Sequence, residues 1–215
     1  MSQSKHNPIA DMANDAELEH LFSTPILKYV LPNVESLNDS LRELILEREK
    51  STPSEAKSNQ GGWQSSGDFF RWGGSAINTL SGYIQKALDI ATAKLNLPDN
   101  FKFEFEFYGW AAVNRKGNYN TTHCHPLSTW SGNYYVDPGD DVDGGNSGLL
   151  ELSHPINASM MSFFPAILPP EIIIKPEAGM LILFPSYLQH SVRVYKGERP
   201  RISVPFNAHA RLTAM

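Results

Sequence analysis

The sequence contains a single cysteine, no long hydrophobic run and no surplus of positive charge. The lone Cys124 excludes an internal disulfide framework. The longest apolar runs, such as Met180–Pro185, are too short to cross a bilayer as a helix, so no membrane span is predicted. Lysine and arginine number 18 against 23 aspartate and glutamate residues, which argues against nucleic acid as a direct partner. The N-terminus also lacks the apolar stretch of a signal peptide, and we therefore expect a cytoplasmic location.

The chain is predicted to form one domain behind a flexible tail. Its 215 residues are 41% hydrophobic, which is enough for a sizeable core. Residues 1–20 are polar and aperiodic, which indicates a flexible N-terminal tail. The predicted domain covers residues 21–215, with a helical part at about residues 35–97 and a barrel at about residues 101–210.

Two amphipathic helices are predicted in the first half. Apolar residues recur at helical spacing in VESLNDSLRELILEREK and again in SAINTLSGYIQKALDIATAKLNL. The residues predicted to face inward are Leu37, Leu41, Leu44, Ile45, Ile77, Leu80, Ile84, Leu88 and either Ile90 or Ala91.

From Phe101 onward the apolar period changes to two, as FKFEFEFYGWAAV shows. Short candidate strands follow, separated by turns rich in glycine, proline and aspartate: SGNYYVD, SGLLELSHP, EIIIKP, GMLILFP, HSVRVYKG and RISVPFNAHA. The predicted fold class is therefore mainly β with flanking helices, a sandwich or barrel braced by helices on one side.

Two histidines lie two residues apart in GNYNTTHCHP, just beyond a predicted strand. Residues i and i+2 of a strand project from the same side, so His123 and His125 can reach one cation while Cys124 points away and packs. Taken alone, this spacing also fits two histidines on a solvated loop.

A second signal lies in KPEAGMLILFPSYLQHSVRVYKGERPRISVPFN. It places His190 at the start of a strand and Arg201 eleven residues later, at the start of another. Strand alternation puts Arg201 and Ser203 on one face.

Together these segments resemble the Fe(II)/2-oxoglutarate dioxygenase superfamily and its prolyl-hydroxylase-like members. In that superfamily an H-x-D/E pair comes early, a single histidine late, and an arginine or lysine about ten residues after it. At finer grain the chain is similar to a group of bacterial and phage proteins, through its LFSTPI start, NQGGWQS segment, H-x-HP-x(4)-SGxYYV core and FPSYLxH…RIS ending. The resemblance implies a jelly-roll barrel, the double-stranded β-helix of cupins, with the N-terminal helices packed on one sheet.

The resemblance also implies the site and its cofactors. His123, His125 and His190 would hold Fe(II) as the catalytic metal ligands, and Arg201, Ser203 and Tyr135 would bind 2-oxoglutarate. The guanidinium of Arg201 offers a planar fork that can bind the far carboxylate through two hydrogen bonds. Arg199 is the alternative, but Pro200 separates it from the strand. The superfamily places a carboxylate where this chain has His125. An aspartate further along YVDPGDDVDGG is the alternative third ligand, and the candidates are Asp137, Asp140, Asp141 and Asp143.

The implied activity is a dioxygenase reaction in which 2-oxoglutarate is decarboxylated to succinate and a substrate C–H bond is hydroxylated. The substrate stays open between a protein side chain such as proline, a small metabolite and a nucleotide, and the resemblance favours the first. Barrels with helical extensions often dimerise, which leaves a homodimer as one option. The rival hypothesis is a non-enzymatic, cupin-like metal-binding module, which the missing carboxylate supports.

Overall fold

The computed structural model describes residues 23–95, 97–98, 100–140, 143–156 and 169–214. The predicted tail at residues 1–20 lies outside these ranges. Within the described residues the chain forms two helices and twelve strands, together with short 3₁₀ turns. This agrees with the predicted order, in which helices precede a mainly β second half.

The helices are α1 (Glu35–Ser51) and α2 (Ser75–Ala93). The first six strands are β1 (Leu27–Val30), β2 (Asn59–Gln60), β3 (Trp63–Gln64), β4 (Lys102–Gly109), β5 (Ala112–Asn114) and β6 (Tyr119–His123). The later strands are β7 (Trp130–Asp137), β8 (Leu150–Ser153), β9 (Glu171–Ile174), β10 (Met180–Pro185), β11 (His190–Val192) and β12 (Arg201–Ala214).

The strands form two antiparallel sheets. The larger sheet has the order β1-β10-β7-β12-β5-β3, with β4 also pairing with β12, and the smaller has the order β2-β6-β11-β8-β9. From β6 to β12 the chain passes back and forth between the sheets, as in a double-stranded β-helix, and only β8 and β9 follow each other within one sheet. The predicted mainly β barrel with flanking helices is therefore confirmed.

Both helices bury one face against the larger sheet. Leu41 and Ile45 of α1 are fully buried, as are the predicted inward residues of α2 from Ile77 to Leu88. The last inward residue of α2 was left open between Ile90 and Ala91. In the structure Ala91 faces the core, while Ile90 is 38% exposed. The hydroxyl of the buried Tyr134 on β7 donates to Oδ1 of Asn38 at 2.6 Å, which ties α1 to the sheet.

Side chains of strand β12 point alternately into the core beneath the helices and into the barrel interior. Ile202, Val204 and Phe206 belong to the core cluster beneath the helices. Arg201 and Ser203 point the other way and line an interior cavity. Since successive side chains of a strand point to opposite faces, this one strand packs against the helices on one side and lines the barrel interior on the other.

The prediction that Cys124 packs away is wrong, because the thiol is exposed between its inward-facing neighbours. Trp63, in the polar segment before α2, packs into the core, and its indole N–H donates to the carbonyl of Thr52 at 3.0 Å. Neither described helix is long and apolar enough to cross a membrane.

Candidate metal and carboxylate site

Three histidines converge inside one end of the barrel. His123 closes β6 and His190 opens β11, and the pairing of these strands sets the two residues directly opposite each other. His125 follows β6, where its backbone N–H donates to the carbonyl of Ser186 at 2.9 Å. The possible ligand atoms of all three lie within 4.8 Å of one another. The structure thus brings together all three of the predicted metal-ligand residues.

Burial keeps these imidazoles neutral. It lowers the pKa of His190 to about 3 and that of His125 to about 4, and neighbouring histidines add to both shifts because like charges repel. Burial also lowers the pKa of His123. A neutral imidazole has a free lone pair on one nitrogen, so near neutral pH each ring can act as a metal ligand.

Hydrogen bonds to the backbone fix which nitrogen is free. Nδ1 of His190 lies 2.9 Å from the carbonyl of Leu188, and Nδ1 of His123 lies 2.7 Å from that of Thr121. A carbonyl only accepts, so both Nδ1 atoms carry the proton and both Nε2 atoms keep the lone pair. The hydroxyl of Ser58, 3.3 Å away, donates to Nε2 of His123.

The aspartates considered as the third ligand are engaged elsewhere. Asp137 accepts from Nη2 of Arg42 at 3.1 Å, and Asp140 accepts from Nε of Arg199 at 2.7 Å. The hydrogen bonds that Asp140 accepts, first from Arg199, lower the pKa of its carboxyl group. Asp141 and the side chain of Asp143 lie outside the described residues. Among the residues that are described, no carboxylate joins the three histidines.

Arg201 is a buried cation on the wall of the same interior cavity. Its residue exposure is 2%, and the only hydrogen bond of its side chain among the described residues runs from Nε to the carbonyl of Gly148 at 3.2 Å. Its Nη2 is buried without a partner, and the described residues offer it no ion pair. Burial consequently lowers the pKa of its guanidinium. Arg199, the alternative, is exposed and paired with Asp140.

Ser203 and Tyr135 lie beside Arg201. Ser203 is buried, lines the cavity and pairs across the sheet with Tyr135. The centroid of the Tyr135 ring lies 5.3 Å from Cζ of Arg201. The Tyr135 hydroxyl is buried with no hydrogen-bond partner in the described chain, and burial raises its pKa. The structure therefore groups all three residues predicted to bind a carboxylate.

Sequence reasoning missed several polar residues of this cavity, and Asn114 is the one beside Arg201. Asn114 pairs directly with Arg201 across β5 and β12, which puts both side chains on the interior face. It is 2% exposed, and its Nδ2 lacks a partner within the part of the chain that is described. An asparagine in the segment AAVN carries no signal by itself, and only the strand register reveals its position.

The cavity opens beside the histidines. Its interior part has a volume of about 60 Å³, room for roughly four waters. A wider mouth of about 600 Å³ is shared by His123 and His125 with Tyr108, Trp110 and Cys124. The rings of Trp110 and His125 lie 5.7 Å apart. A molecule in the mouth would therefore lie against the histidines from the solvent side.

Comparisons with known proteins agree with this geometry. Residues 108–207 match the family described as "Putative 2OG-Fe(II) oxygenase". A search of curated proteins gives no significant match.

Solved structures share the fold at low identity. A Pseudomonas putida prolyl-4-hydroxylase is 16% identical, with a TM-score of 0.61 over 94% of this chain and 97% of that one. A Trichoplax adhaerens prolyl hydroxylase, in complex with a hypoxia inducible factor peptide fragment, is 14% identical, with a TM-score of 0.59 over 94% and 87%. HygX from Streptomyces hygroscopicus, with nickel and 2-oxoglutarate bound, is 14% identical, with a TM-score of 0.56 over 86% and 83%.

Proposed function

Since the barrel of this chain, over residues 108–207, belongs to the 2OG-Fe(II) oxygenase family, we propose that the protein is an Fe(II)- and 2-oxoglutarate-dependent dioxygenase. His123, His125 and His190 would hold the iron, and Arg201 would bind the far carboxylate of 2-oxoglutarate. The observation that carries the proposal is the buried Arg201, whose unpartnered guanidinium nitrogen lies on the same cavity as the three histidines.

The histidine cluster fits iron. Imidazole is a suitable ligand for Fe(II), and each ring is held neutral by burial. Nε2 of His190 lies across the ring from its backbone partner and is free to bind a cation. Nε2 of His123 becomes free when the hydroxyl of Ser58 turns away from it. Three neutral ligands leave the full charge of the cation in the cavity, so the site favours an anionic molecule beside it.

The wall around Arg201 fits a carboxylate. Three of its unpartnered polar atoms can donate, namely Nη2 of Arg201, the hydroxyl of Tyr135 and Nδ2 of Asn114, and one, Oδ1 of Asn133, accepts. A carboxylate only accepts hydrogen bonds, so it complements the three donors, and an anion also compensates the buried guanidinium. Ser203 offers one more hydroxyl on the same wall. We include Asn114 among the residues that bind 2-oxoglutarate.

With iron and 2-oxoglutarate bound, the centre would supply the oxidising chemistry with O2 as the oxidant. One oxygen atom would enter succinate as 2-oxoglutarate releases CO2, and the other would hydroxylate a substrate C–H bond. The chain itself provides the rest. The interior wall orients the diacid between Arg201 and the histidines, and the barrel excludes bulk water from that part. The mouth beside Trp110 admits the substrate to the histidine side.

The substrate proposal is a protein side chain such as proline, with a small molecule as the alternative. Two of the structurally similar proteins are prolyl hydroxylases, one of them bound to a peptide fragment. The mouth is open, partly aromatic and about 600 Å³ in volume, which fits a side chain presented on a peptide.

The direct test is an anaerobic titration of the Fe(II)-loaded protein with 2-oxoglutarate. Chelation of Fe(II) by the 2-oxo acid is expected to give a visible charge-transfer band that saturates. We expect His190→Ala to lose iron, and Arg201→Ala to keep iron but lose 2-oxoglutarate. His209→Ala, a histidine outside the cluster, is the matched control and should retain both. No band at saturating 2-oxoglutarate would refute the proposal.

The second candidate is a cupin-like module that binds a metal without catalysis. The all-histidine set supports it, because the superfamily carboxylate is replaced by His125. Arg201 separates the two functions, since a purely structural metal site has no use for an unpaired guanidinium on its cavity wall. If His190→Ala and Arg201→Ala both retain full 2-oxoglutarate affinity, the site assignment is wrong.

A further inference from the structure

An apolar groove lies between β1 and the second half of α2. Its volume is about 750 Å³, and it shares no lining residue with the cavity around the histidines. Its walls include Leu27 and Tyr29 on β1 and Tyr83, Ile90 and Leu95 on or beyond α2. The groove is therefore a separate feature of the fold, outside the proposed active site.

The groove exposes more apolar surface than isolated side chains would. Tyr29 is 56% exposed, and Tyr83, Ile90 and Leu95 are each 38% exposed. A neighbouring cavity of about 320 Å³ shares Pro25, Leu95 and Trp130 with the groove and extends the apolar surface. Contiguous apolar patches of this kind mark surfaces that bind another segment or molecule.

Three lysines line the groove: Lys28, Lys86 and Lys94. The described residues supply no ion pair to any of them, although several other lysines and arginines of the chain are paired. An occupant of this groove should therefore combine apolar residues with negative charge.

Residues 1–22, which precede the first described residue, have this composition. They carry four acidic residues, Asp11, Asp15, Glu17 and Glu19, against one basic residue, Lys5, when histidine is counted as neutral. Their apolar residues lie among the acidic ones, namely Ile9, Met12, Leu18, Leu21 and Phe22. The segment therefore combines negative charge, which complements the groove lysines, with apolar residues that match the apolar walls of the groove.

The attachment point and the length also fit. The segment joins the fold at Ser23, two residues before Pro25, which lines both apolar cavities near Leu95. The stretch from Tyr83 in α2 to Leu95 just beyond it spans about 18 Å at the helical rise, and 22 residues reach about 33 Å even when helical. A tether of a few residues gives millimolar effective concentrations, so modest contacts are enough for docking.

We propose that residues 1–22 fold back and dock in this groove, with their acidic side chains beside Lys28, Lys86 and Lys94. The docked segment covers the exposed rings and aliphatic side chains of β1 and α2. This inference does not depend on the metal or on the oxygenase activity, because the groove and the histidine cavity are separate.

The test is carbodiimide coupling on the full chain, which joins a carboxylate to a lysine only when the two are in contact. Mass spectrometry of the monomer should show cross-links from Asp11, Asp15, Glu17 or Glu19 to the three groove lysines. The double variant Ile90→Asp/Leu95→Asp should lose most of these cross-links. Ile172→Asp, an exposed isoleucine on edge strand β9, is the matched control and should keep them.

A second measurement guards against misfolding of the double variant. Replacing the three groove lysines with glutamate, which are surface substitutions, should raise amide hydrogen exchange along residues 83–95. Replacing the four acidic residues of the segment with lysine in the same variant should restore the protection. Cross-links found only between two copies would overturn the proposal in favour of a dimer interface. Cross-links spread over lysines outside the groove, or unchanged exchange, would also overturn it.

Discussion

Replacing Arg201 by methionine tests the reasoning from two sides, because we expect opposite effects on ligand binding and on stability. In the structure the guanidinium makes one hydrogen bond, to the carbonyl of Gly148, and one ring contact, with Tyr135. No described carboxylate compensates its charge. Methionine keeps an unbranched apolar stem of similar reach in the same buried space.

The expected magnitudes follow from these contacts. A charge-assisted hydrogen bond contributes about 1.5–3 kcal/mol, so each bond lost to the far carboxylate weakens 2-oxoglutarate binding about 10- to 150-fold. In the ligand-free protein, the hydrogen bond and ring contact together contribute about 2–4 kcal/mol. Burying an uncompensated charge costs several kcal/mol. The free energy of unfolding should therefore stay within about 1 kcal/mol of its original value or increase.

The assays are calorimetric titration of the anaerobic Fe(II) protein with 2-oxoglutarate, and urea unfolding without ligand. The control is Arg211→Met, on the same strand β12 but exposed and paired with Glu104. The control should change neither quantity appreciably. Unaltered 2-oxoglutarate affinity in Arg201→Met would contradict the assignment. A loss of several kcal/mol of stability would show that Arg201 is a structural residue instead.

Three further predictions concern neighbouring parts of the structure. Gly148→Ala places a Cβ 3.1 Å from Cδ of Arg201, at a residue with φ of +64°. The variant should therefore weaken 2-oxoglutarate binding without loss of metal. Unchanged binding would mean that this turn does not position Arg201. His125→Asp should keep iron and bind 2-oxoglutarate more weakly, since the added negative charge repels the dianion, and metal analysis with the same titration checks both. Asn38→Ala should lower the free energy of unfolding by about 1–3 kcal/mol, because the buried hydroxyl of Tyr134 loses its acceptor, and the urea midpoint measures this.

The fold was predictable because its periodicities are strong. The apolar residues of α1 and α2 recur at helical spacing and become the face buried on the larger sheet. The change to period two at Phe101 marks the start of the long strand β4. Where two adjacent residues competed, Ile90 and Ala91, the sequence could not decide, because a shift of one residue on a helix is about 100° and both positions border the buried face.

Sequence spacing could predict only those site residues that lie close together in the chain. His123 and His125 are neighbours in sequence, and Arg201 and Ser203 share a face by strand alternation. Asn114 could not be found in this way, because its place beside Arg201 depends on the pairing of β5 with β12. The exposure of Cys124 likewise depends on the barrel opening at that point, which periodicity does not report.

The distinction between oxygenase and metal-binding module rests on charge balance. Three neutral histidines suit iron in either protein, so the cluster alone does not choose between them. Burying a guanidinium without an anion is costly, so an unpaired guanidinium on a cavity wall indicates an anionic ligand that compensates its charge. Here the unpartnered nitrogen of Arg201 lies with two other unpartnered donors, those of Tyr135 and Asn114. A dianion that reaches from this wall to a cation at the histidines compensates the charge of Arg201 and also binds the cation. A metal alone would occupy the histidines and leave Arg201 uncompensated.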